Sequence, residues 1–323
     1  MKYVELGNTG IKVSRICVGC MSFGVPSKDF LEWTLDYETT KAVIKHALDL
    51  GINFFDTANT YAHGTSEEYL GRALKELGIK REDVVIATKV FFNEGKLSKE
   101  AIFREVEGSL KRLGTDYIDL YQIHRFDYDH PMEETMEALN ELVKSGKVRA
   151  IGASAMYGYQ FHNMQEVAKK NGWTLFSTMQ NHYNLLYRED EREMIPVCEQ
   201  YGVTLIPYSP LASGHLARPT WESDSLRSQT DTFMRKKYDY AKQWDMEIVK
   251  AVKDVADKHN VPMSQIALAW LLHKGANPIV GTSKIKHLDD AVKALDIELD
   301  EDDIKHLEEN YHPHFIVGAL PRI

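Results

Sequence analysis

Four residues with chemically useful side chains, Asp56, Tyr61, Lys89 and His124, stand at or just beyond the ends of three apolar runs: GINFFDTANTY (51–61), VVIAT (84–88) and IDLYQI (118–123). An acid, a phenol, an amine and an imidazole at successive strand ends is the arrangement expected where a parallel α/β barrel keeps its active site. A free tyrosine, with a pKa near 10, is a weak acid or base at neutral pH, so Tyr61 needs a tuning neighbour. An ammonium such as Lys89 about 4 Å away, at an effective dielectric near 20, is worth roughly 4 kcal/mol and is expected to lower the phenol's pKa by about two to three. Asp56 would hold that ammonium, and His124 would position a substrate oxygen by a hydrogen bond. Singly each has a bland reading: Asp56 caps a turn, Lys89 is a solvated rim lysine, His124 is a satisfied core histidine. Jointly they favour proton delivery to a carbonyl oxygen.

The elements that must hold these residues alternate from start to finish. YVEL and IKVSRI flank the turn Gly7–Gly10 as a hairpin. ICVGC, INFFD, VVIAT, IDLYQI, RAIGAS, STMQ, VTLIPY and NPIVG read as eight strands separated by amphipathic helical stretches, with Gly51, Gly78 and Gly146 just past helix ends. No Pro/Gly-rich linker divides the halves, so residues 1–323 are expected to form one domain: a (β/α)8 TIM barrel with an N-terminal β-hairpin and long loops at its C-terminal face. Residues 211–243 form a polar insertion too long for an ordinary connection, a candidate lid or else a disordered surface loop.

The composition is that of a globular protein: 323 residues, 43% hydrophobic, 27% charged. A formal charge of −9 argues against nucleic acid or anionic membrane as a partner. The N-terminal MKYVELGNTG has no apolar stretch of signal-peptide length and no window approaches a transmembrane span, so the cytoplasm is the expected location. Cys17 and Cys20 form a C-x-x-C pair on a strand, where residues three apart face opposite ways. No metal or dithiol role is expected of them.

With these residues in place the chain resembles the aldo-keto reductases. GINFFDTANTYAHGTSEEYLGRAL looks like their first signature, and IDLYQIHR, GKVRAIGAS, MQNHYNLLYR, PYSPLASG and PIVGTSKIKHLDDAV follow in family order over essentially the whole chain. Within the family it looks most similar to a bacterial branch related to aryl-alcohol dehydrogenases and potassium-channel β-subunits, especially the YajO-type reductases. The resemblance implies a catalytic tetrad of Asp56, Tyr61, Lys89 and His124, with Tyr61 as proton donor and NADPH (NADP+) as cofactor. It further implies cofactor contacts from Gly19, Cys20 and Met21, from Ser154, Gln180 and Tyr208, from Ser209, Pro210, Leu211 and Ser213, and from Gly281, Thr282, Ser283, Lys284, His287 and Asp290. Ser154 and Gln180 match the carboxamide contacts, Tyr208 the nicotinamide-stacking aromatic, and Ser283 and Lys284 the 2′-phosphate positions. Ala155 and Ala291 replace asparagines usual in the family. The absence of a G-x-G-x-x-G after any strand fits a dinucleotide bound without a Rossmann unit.

Trp33, Phe91, Arg125 and Phe126 stand where substrate-pocket walls are expected, with Phe92 beside them. Aromatic walls suit flat carbonyl compounds, and Arg125 would attract a carboxylate or phosphate unless it pairs with Asp127 or Asp129. The tail 312–318 either closes over the pocket or packs on the barrel exterior. The leading function is NADPH-dependent reduction of aldehydes or ketones. Two other classes stay open at this point: an NADP(H)-binding redox sensor with little turnover, and a barrel lyase using Lys89 as a Schiff base or a metal-dependent hydrolase using Asp56 and His124.

Overall fold

The computed structural model describes residues 1–27, 31–282 and 284–320, and the backbone alone at 233 and 234. Two short strands, β1 (Tyr3–Glu5) and β2 (Lys12–Ser14), pair antiparallel as the predicted hairpin. Eight parallel strands follow: β3 (Cys17–Gly19), β4 (Phe54–Asp56), β5 (Val85–Val90), β6 (Ile118–Ile123), β7 (Val148–Ser154), β8 (Phe176–Gln180), β9 (Thr204–Leu205) and β10 (Ile279–Gly281). Their order in the sheet is β10-β3-β4-β5-β6-β7-β8-β9. Backbone bonds from Asn277 N to the Leu205 carbonyl and from Ile279 N to the Pro207 carbonyl, both 2.9 Å, join the two edges into a (β/α)8 barrel. The run VTLIPY is regular over only two residues, yet Ile206 N and Tyr208 N continue the ladder to Met179 and Asn181.

Strand alternation sorts each run into two cores. Phe54, Val85, Ala87, Leu120, Ala150, Ile206 and Ile279 face the barrel axis, where Leu6, Ile11 and Val13 from the hairpin region pack against them. The alternate residues Phe55, Ile86, Tyr121, Ile123 and Ile151 face the surrounding helices. Cys17 belongs to the inner cluster and Cys20 to the outer, and both are buried free thiols. Helix ends obey local chemistry: the Asp36 carboxylate accepts from Thr39 N at 2.8 Å to cap helix Tyr37–Asp49. Gly51, Gly78 and Gly146 sit past helix ends with φ of 80°, 68° and 78°.

The 211–243 insertion is built rather than disordered. It contains helices Leu226–Thr230 and Thr232–Tyr238, and it buries Trp221 and Tyr238, with Trp221 stacked on His215 at 3.9 Å between ring centroids. Among the described residues no helix is long and apolar enough to cross a membrane.

Candidate active site

The inward alternation that fills the lower barrel with apolar side chains places Asp56, Lys89, Gln122, His124 and Gln180 at its C-terminal mouth. Asp56 aligns with Ala87 and Lys89 aligns with Gln122, so the lysine is one step further up the axis than the acid. Lys89, fully buried, donates from Nζ to Asp56 Oδ1 at 2.5 Å and to the Thr57 carbonyl at 2.6 Å. The other carboxylate oxygen, Oδ2, accepts from Gln122 Nε2 at 2.9 Å and from Gln180 Nε2 at 2.8 Å. Gln122 reaches across because Gly152 leaves room. A Cβ at Gly152 would stand 2.2 Å from Thr178 Oγ1 and 3.2 Å from Gln122 Cγ.

Tyr61 begins a tight turn, Tyr61–Gly64, in which Ala62 and His63 adopt left-handed φ of 45° and 55°. Such angles cost about 1–2 kcal/mol per non-glycine residue and persist only where surroundings enforce them. Here Thr65 Oγ1 donates to the Ala62 carbonyl at 2.7 Å. The turn brings the Tyr61 ring centroid to 4.9 Å from the Lys89 ammonium, and its hydroxyl shares a hydrogen bond with that ammonium. The Tyr61 and His124 rings meet edge to face at 5.8 Å.

The electrostatics depart from the sequence expectation in one respect. Lys89 does pull the Tyr61 pKa down, but burial, the larger effect, and the Asp56 charge push it up, and the net lies above an ordinary phenol. The ammonium acts as half of an ion pair, and the pair's field at the phenol is weaker than that of a lone cation. Burial would lower the Lys89 pKa, yet Asp56 and Tyr61 outweigh it and Lys89 is held protonated. His124 is pushed well below the usual imidazole value by burial, then by Lys89 and Arg125, and is therefore neutral. Its Nδ1 is buried with no hydrogen-bond partner among the described residues.

The expected cofactor residues lie on the same face. Gly19 ends β3, and Cys20 and Met21 start the turn Cys20–Ser22. Ser154 and Gln180 are aligned across β7 and β8, but Gln180 gives its amide nitrogen to Asp56, leaving its carbonyl oxygen for a ligand. One ring of a three-ring stack is Tyr208: His182 lies 5.3 Å from Tyr208 and 4.2 Å from Tyr187, nearly parallel to both. Ser209, Pro210, Leu211 and Ser213 form a turn with left-handed φ at Ser209, Ala212 and Ser213, a backbone form that can direct N–H groups at an anion. Gly281, the last residue of β10, is exposed; beyond it Thr282 is tied to Ser22 through its carbonyl at 2.8 Å, and Lys284 N-caps helix Ile285–Lys293 without any side-chain cap. That end has no acidic residue in its first turn and presents exposed Lys284, Lys286 and His287, all of which suits a phosphate. Asp290 accepts from Gln265 at 3.1 Å. Ser283 lies outside the described residues.

The pocket walls are partly redistributed. Phe91 is 5% exposed and belongs to the barrel–helix core, whereas Phe92 is 49% exposed with its ring 4.9 Å from His124. Consecutive residues leaving a strand point to opposite sides, so only one of the two can face the mouth. The Phe126 ring packs on Tyr128 at 4.9 Å, and Trp33 meets the insertion through Arg227, 4.4 Å above its ring. Neither Asp127 nor Asp129 takes Arg125: Asp127 binds Leu97 N, Asp129 N and His130, and Asp129 pairs with Lys96. The tail reaches the mouth, since a Cβ at Gly318 would lie 2.6 Å from the Tyr208 hydroxyl and 3.5 Å from Ala155 Cβ.

Sequence reasoning missed Gln122, His182 and Lys237. Gln122 was accessible, because it lies two residues before His124 on one strand and must share its face. The other two gave no local signal.

A model of the aldo/keto reductase family matches residues 15–312. The chain belongs to the aldo/keto reductase family. It is 46% identical to a putative aryl-alcohol dehydrogenase of Schizosaccharomyces pombe over 98% of both chains. It is 42% identical to the versiconal hemiacetal acetate reductase of Aspergillus parasiticus, again over 98% of each. A putative aryl-alcohol dehydrogenase of Saccharomyces cerevisiae is also 42% identical, over 97% of this chain and 98% of the relative. This aldo/keto reductase is thus an oxidoreductase of carbonyl compounds. These relatives are fungal, so they lend no support to a bacterial branch; the affinity to aryl-alcohol dehydrogenases is what they carry.

Proposed function

We propose that this aldo/keto reductase reduces aromatic and other flat aldehydes or ketones with NADPH, Tyr61 delivering the proton. The observation that carries this reading is Lys89 bonded at once to Asp56 and to the Tyr61 hydroxyl, beside a neutral His124. Asp56 keeps Lys89 charged, and Lys89 stabilises the phenolate that forms as the proton leaves. A neutral imidazole can donate one N–H to the substrate oxygen and so fix the carbonyl against Tyr61. Because the phenol is not acidified, its proton moves when the oxygen becomes a far more basic alkoxide. The hydride would come from a nicotinamide dinucleotide held by residues of the mouth. Ser154, the Gln180 carbonyl and Tyr208 would hold its nicotinamide end, the 209–213 turn its pyrophosphate, and the uncapped helix with Lys284 its 2′-phosphate, which supports NADPH over NADH. Trp33, Phe92 and Phe126 supply aromatic walls.

The lyase alternative is disfavoured because Lys89, held protonated in an ion pair, is no nucleophile. For the hydrolase, no three His, Cys, Asp or Glu side chains cluster as metal ligands among the described residues. We also propose that residues 1–323 form one barrel domain, since described residues near both ends are tied to it: Lys2 bonds to the Leu295 carbonyl and Tyr128 to the Leu320 carbonyl.

The test is NADPH against NADH oxidation over a panel of carbonyl compounds, with Tyr61→Phe as control. Oxidation of NADPH by aryl aldehydes, reduced on the order of 10²–10⁴-fold in Tyr61→Phe, is expected. Unchanged turnover in the variant would defeat the proton-donor role, and tight NADPH binding without turnover of any carbonyl would favour a redox-sensing module.

A further inference from the structure

Three side chains bridge the bore of the barrel beside the tetrad. Asp56 ends β4 and Gln180 ends β8, which stand on opposite sides of the ring, and Gln122 on β6 lies midway between them. All three are buried, and they form a closed triangle. Gln122 Nε2 and Gln180 Nε2 donate to Asp56 Oδ2 at 2.9 and 2.8 Å, and Gln180 Nε2 also donates to Gln122 Oε1 at 3.3 Å. Strand register sets Gln122 level with Lys89 on one side and with Gly152 on the other, and the missing Cβ of Gly152 gives it room to lean across the bore.

The chemistry of the triangle assigns each atom in it. A carboxylate paired with an ammonium offers acceptors only, so both amides must turn a nitrogen toward Asp56. Gln122 is left with its oxygen facing Gln180, and that oxygen takes the second hydrogen of the Gln180 amide. A primary amide nitrogen carries two hydrogens, and here both are engaged inside the triangle. What Gln180 has left for the mouth is a carbonyl oxygen, which can only accept. Without the Gln122 oxygen, Gln180 would hold a free N–H and could turn it toward a ligand.

Resting on the reductase reading above, we propose that Gln122 is a positioning residue that fixes Gln180 as a pure acceptor, so that the mouth selects a nicotinamide dinucleotide by the N–H2 of its carboxamide. In this role Gln122 acts only through Gln180. Asp56 holds one hydrogen of that amide and leaves the other undecided; the Gln122 oxygen decides it. A buried acceptor that cannot become a donor discriminates strongly against a ligand lacking the matching N–H, because the acceptor is then left unmet.

The experiment compares the binding of NADP+ with that of its 3-acetylpyridine analogue, in which a methyl ketone replaces the carboxamide. Quenching of tryptophan fluorescence reads the binding with no carbonyl substrate present. The analogue keeps the oxygen and lacks the N–H2. The wild type should bind NADP+ about tenfold or more tightly, the scale of one buried acceptor left unpaired. Gln122→Met keeps the length of the side chain, releases an N–H of Gln180 for the ketone, and should bring the ratio to within about threefold. Gln122→Leu makes the same comparison where Gln122→Met does not fold, as thermal melting reports. Gln122→Glu keeps the acceptor, and burial beside Asp56 holds the introduced carboxyl protonated, so that the donor is kept as well. The ratio should return to the wild-type range in that variant, a rescue that a mere packing role does not predict. A ratio unchanged in the apolar variants overturns the proposal, since Asp56 alone would then orient Gln180. A ratio lost in Gln122→Glu as fully as in Gln122→Met assigns Gln122 to packing and overturns it too. Equal binding of both dinucleotides by the wild type shows that Gln180 does not read the amide and has the same consequence. These three outcomes leave the reductase reading standing, whereas binding of neither dinucleotide removes that reading and the proposal with it.

Discussion

Lys89 and Asp56 form a fully buried ion pair, 2.5 Å between Nζ and Oδ1, in which the acid has a second oxygen held by two glutamine amides. The acid is therefore a support for the amine rather than a proton donor: three donor contacts, two of them from glutamines, occupy its oxygens. Removing its charge should be costly twice over. Asp56→Asn leaves Lys89 as a buried cation without a partner, which typically costs about 3–5 kcal/mol of stability. It should also lower kcat by on the order of 10²–10³, as loss of a preorganised electrostatic group does. Asp56→Asn combined with Lys89→Met should recover much of the stability and none of the activity. Thermal melting and single-turnover kinetics on the three variants check this, and recovery of activity in the double variant would refute the supporting role.

The pH profile of the reduction follows from the directions at Tyr61 and His124. Tyr61 lies above the ordinary phenol and His124 well below the ordinary imidazole, in each case with burial as the leading cause. Reduction needs the protonated phenol and the neutral ring, and both are present throughout the neutral range. With an uncharged aldehyde, kcat/KM should stay flat from about pH 6.5 to about pH 9 and fall only as pH rises through the raised phenol value. Alcohol oxidation needs the phenolate and should climb with pH over the same interval. A rise or fall in the reductive limb near pH 7 with an uncharged substrate that persists in Lys237→Met, whose parent amine burial pushes down to about 7, would show that one of these two groups titrates there.

Much of this site was legible because strand alternation is a strong rule. Asp56, Lys89 and His124 each end an inward-facing series, and the eight strands fall where the apolar runs lie. Less legible were contacts set by tertiary placement. Whether Lys89 or burial wins at Tyr61 depends on the distance between Lys89 and Asp56, which no sequence spacing states. Phe91 and Phe92 are equivalent in composition, and only the exit angle of β5 leaves the second exposed beside His124. Lys237 acquires its meaning from a fold of the insertion that brings it to Tyr208, 29 positions away in the chain.

Ala155 illustrates a residue whose oddness becomes physical once its backbone is known. It follows Ser154 with φ of 43°, in the left-handed region where asparagine is better tolerated than alanine. The asparagine usual at this position in the family would fit that geometry. Ala155→Asn should raise stability by about 0.5–1 kcal/mol and tighten NADPH binding by adding a side-chain amide beside Ser154. Denaturant unfolding and cofactor titration read the two effects separately. Weakened cofactor binding in this variant would mean that the alanine makes room for the tail, whose Gly318 approaches Ala155.

The tail itself is latched by His314, whose Nε2 lies 3.1 Å from Asp245 Oδ2, with both side chains nearly inaccessible. Burial would lower the His314 pKa, but the hydrogen bond and charge of Asp245 outweigh it and the net is raised. Burial raises Asp245, with His314 pulling back. A histidine that binds its proton more tightly when folded contributes stability that is complete below its unfolded pKa, near 6.5, and is lost as pH rises through the higher folded value. The raised carboxyl acts in the same direction, since its charged form is disfavoured on folding. As pH rises above about 6.5 and through the higher folded value, the tail anchor should therefore weaken. Because the Phe315 and Val317 amides bond to Tyr240 and Tyr187, release of His314 should expose that stretch as a unit. Hydrogen exchange across residues 312–320 should accelerate as pH rises, after correction for the intrinsic rate. In His314→Gln the same segment should exchange fast at every pH, and slow exchange there would show that the latch lies elsewhere.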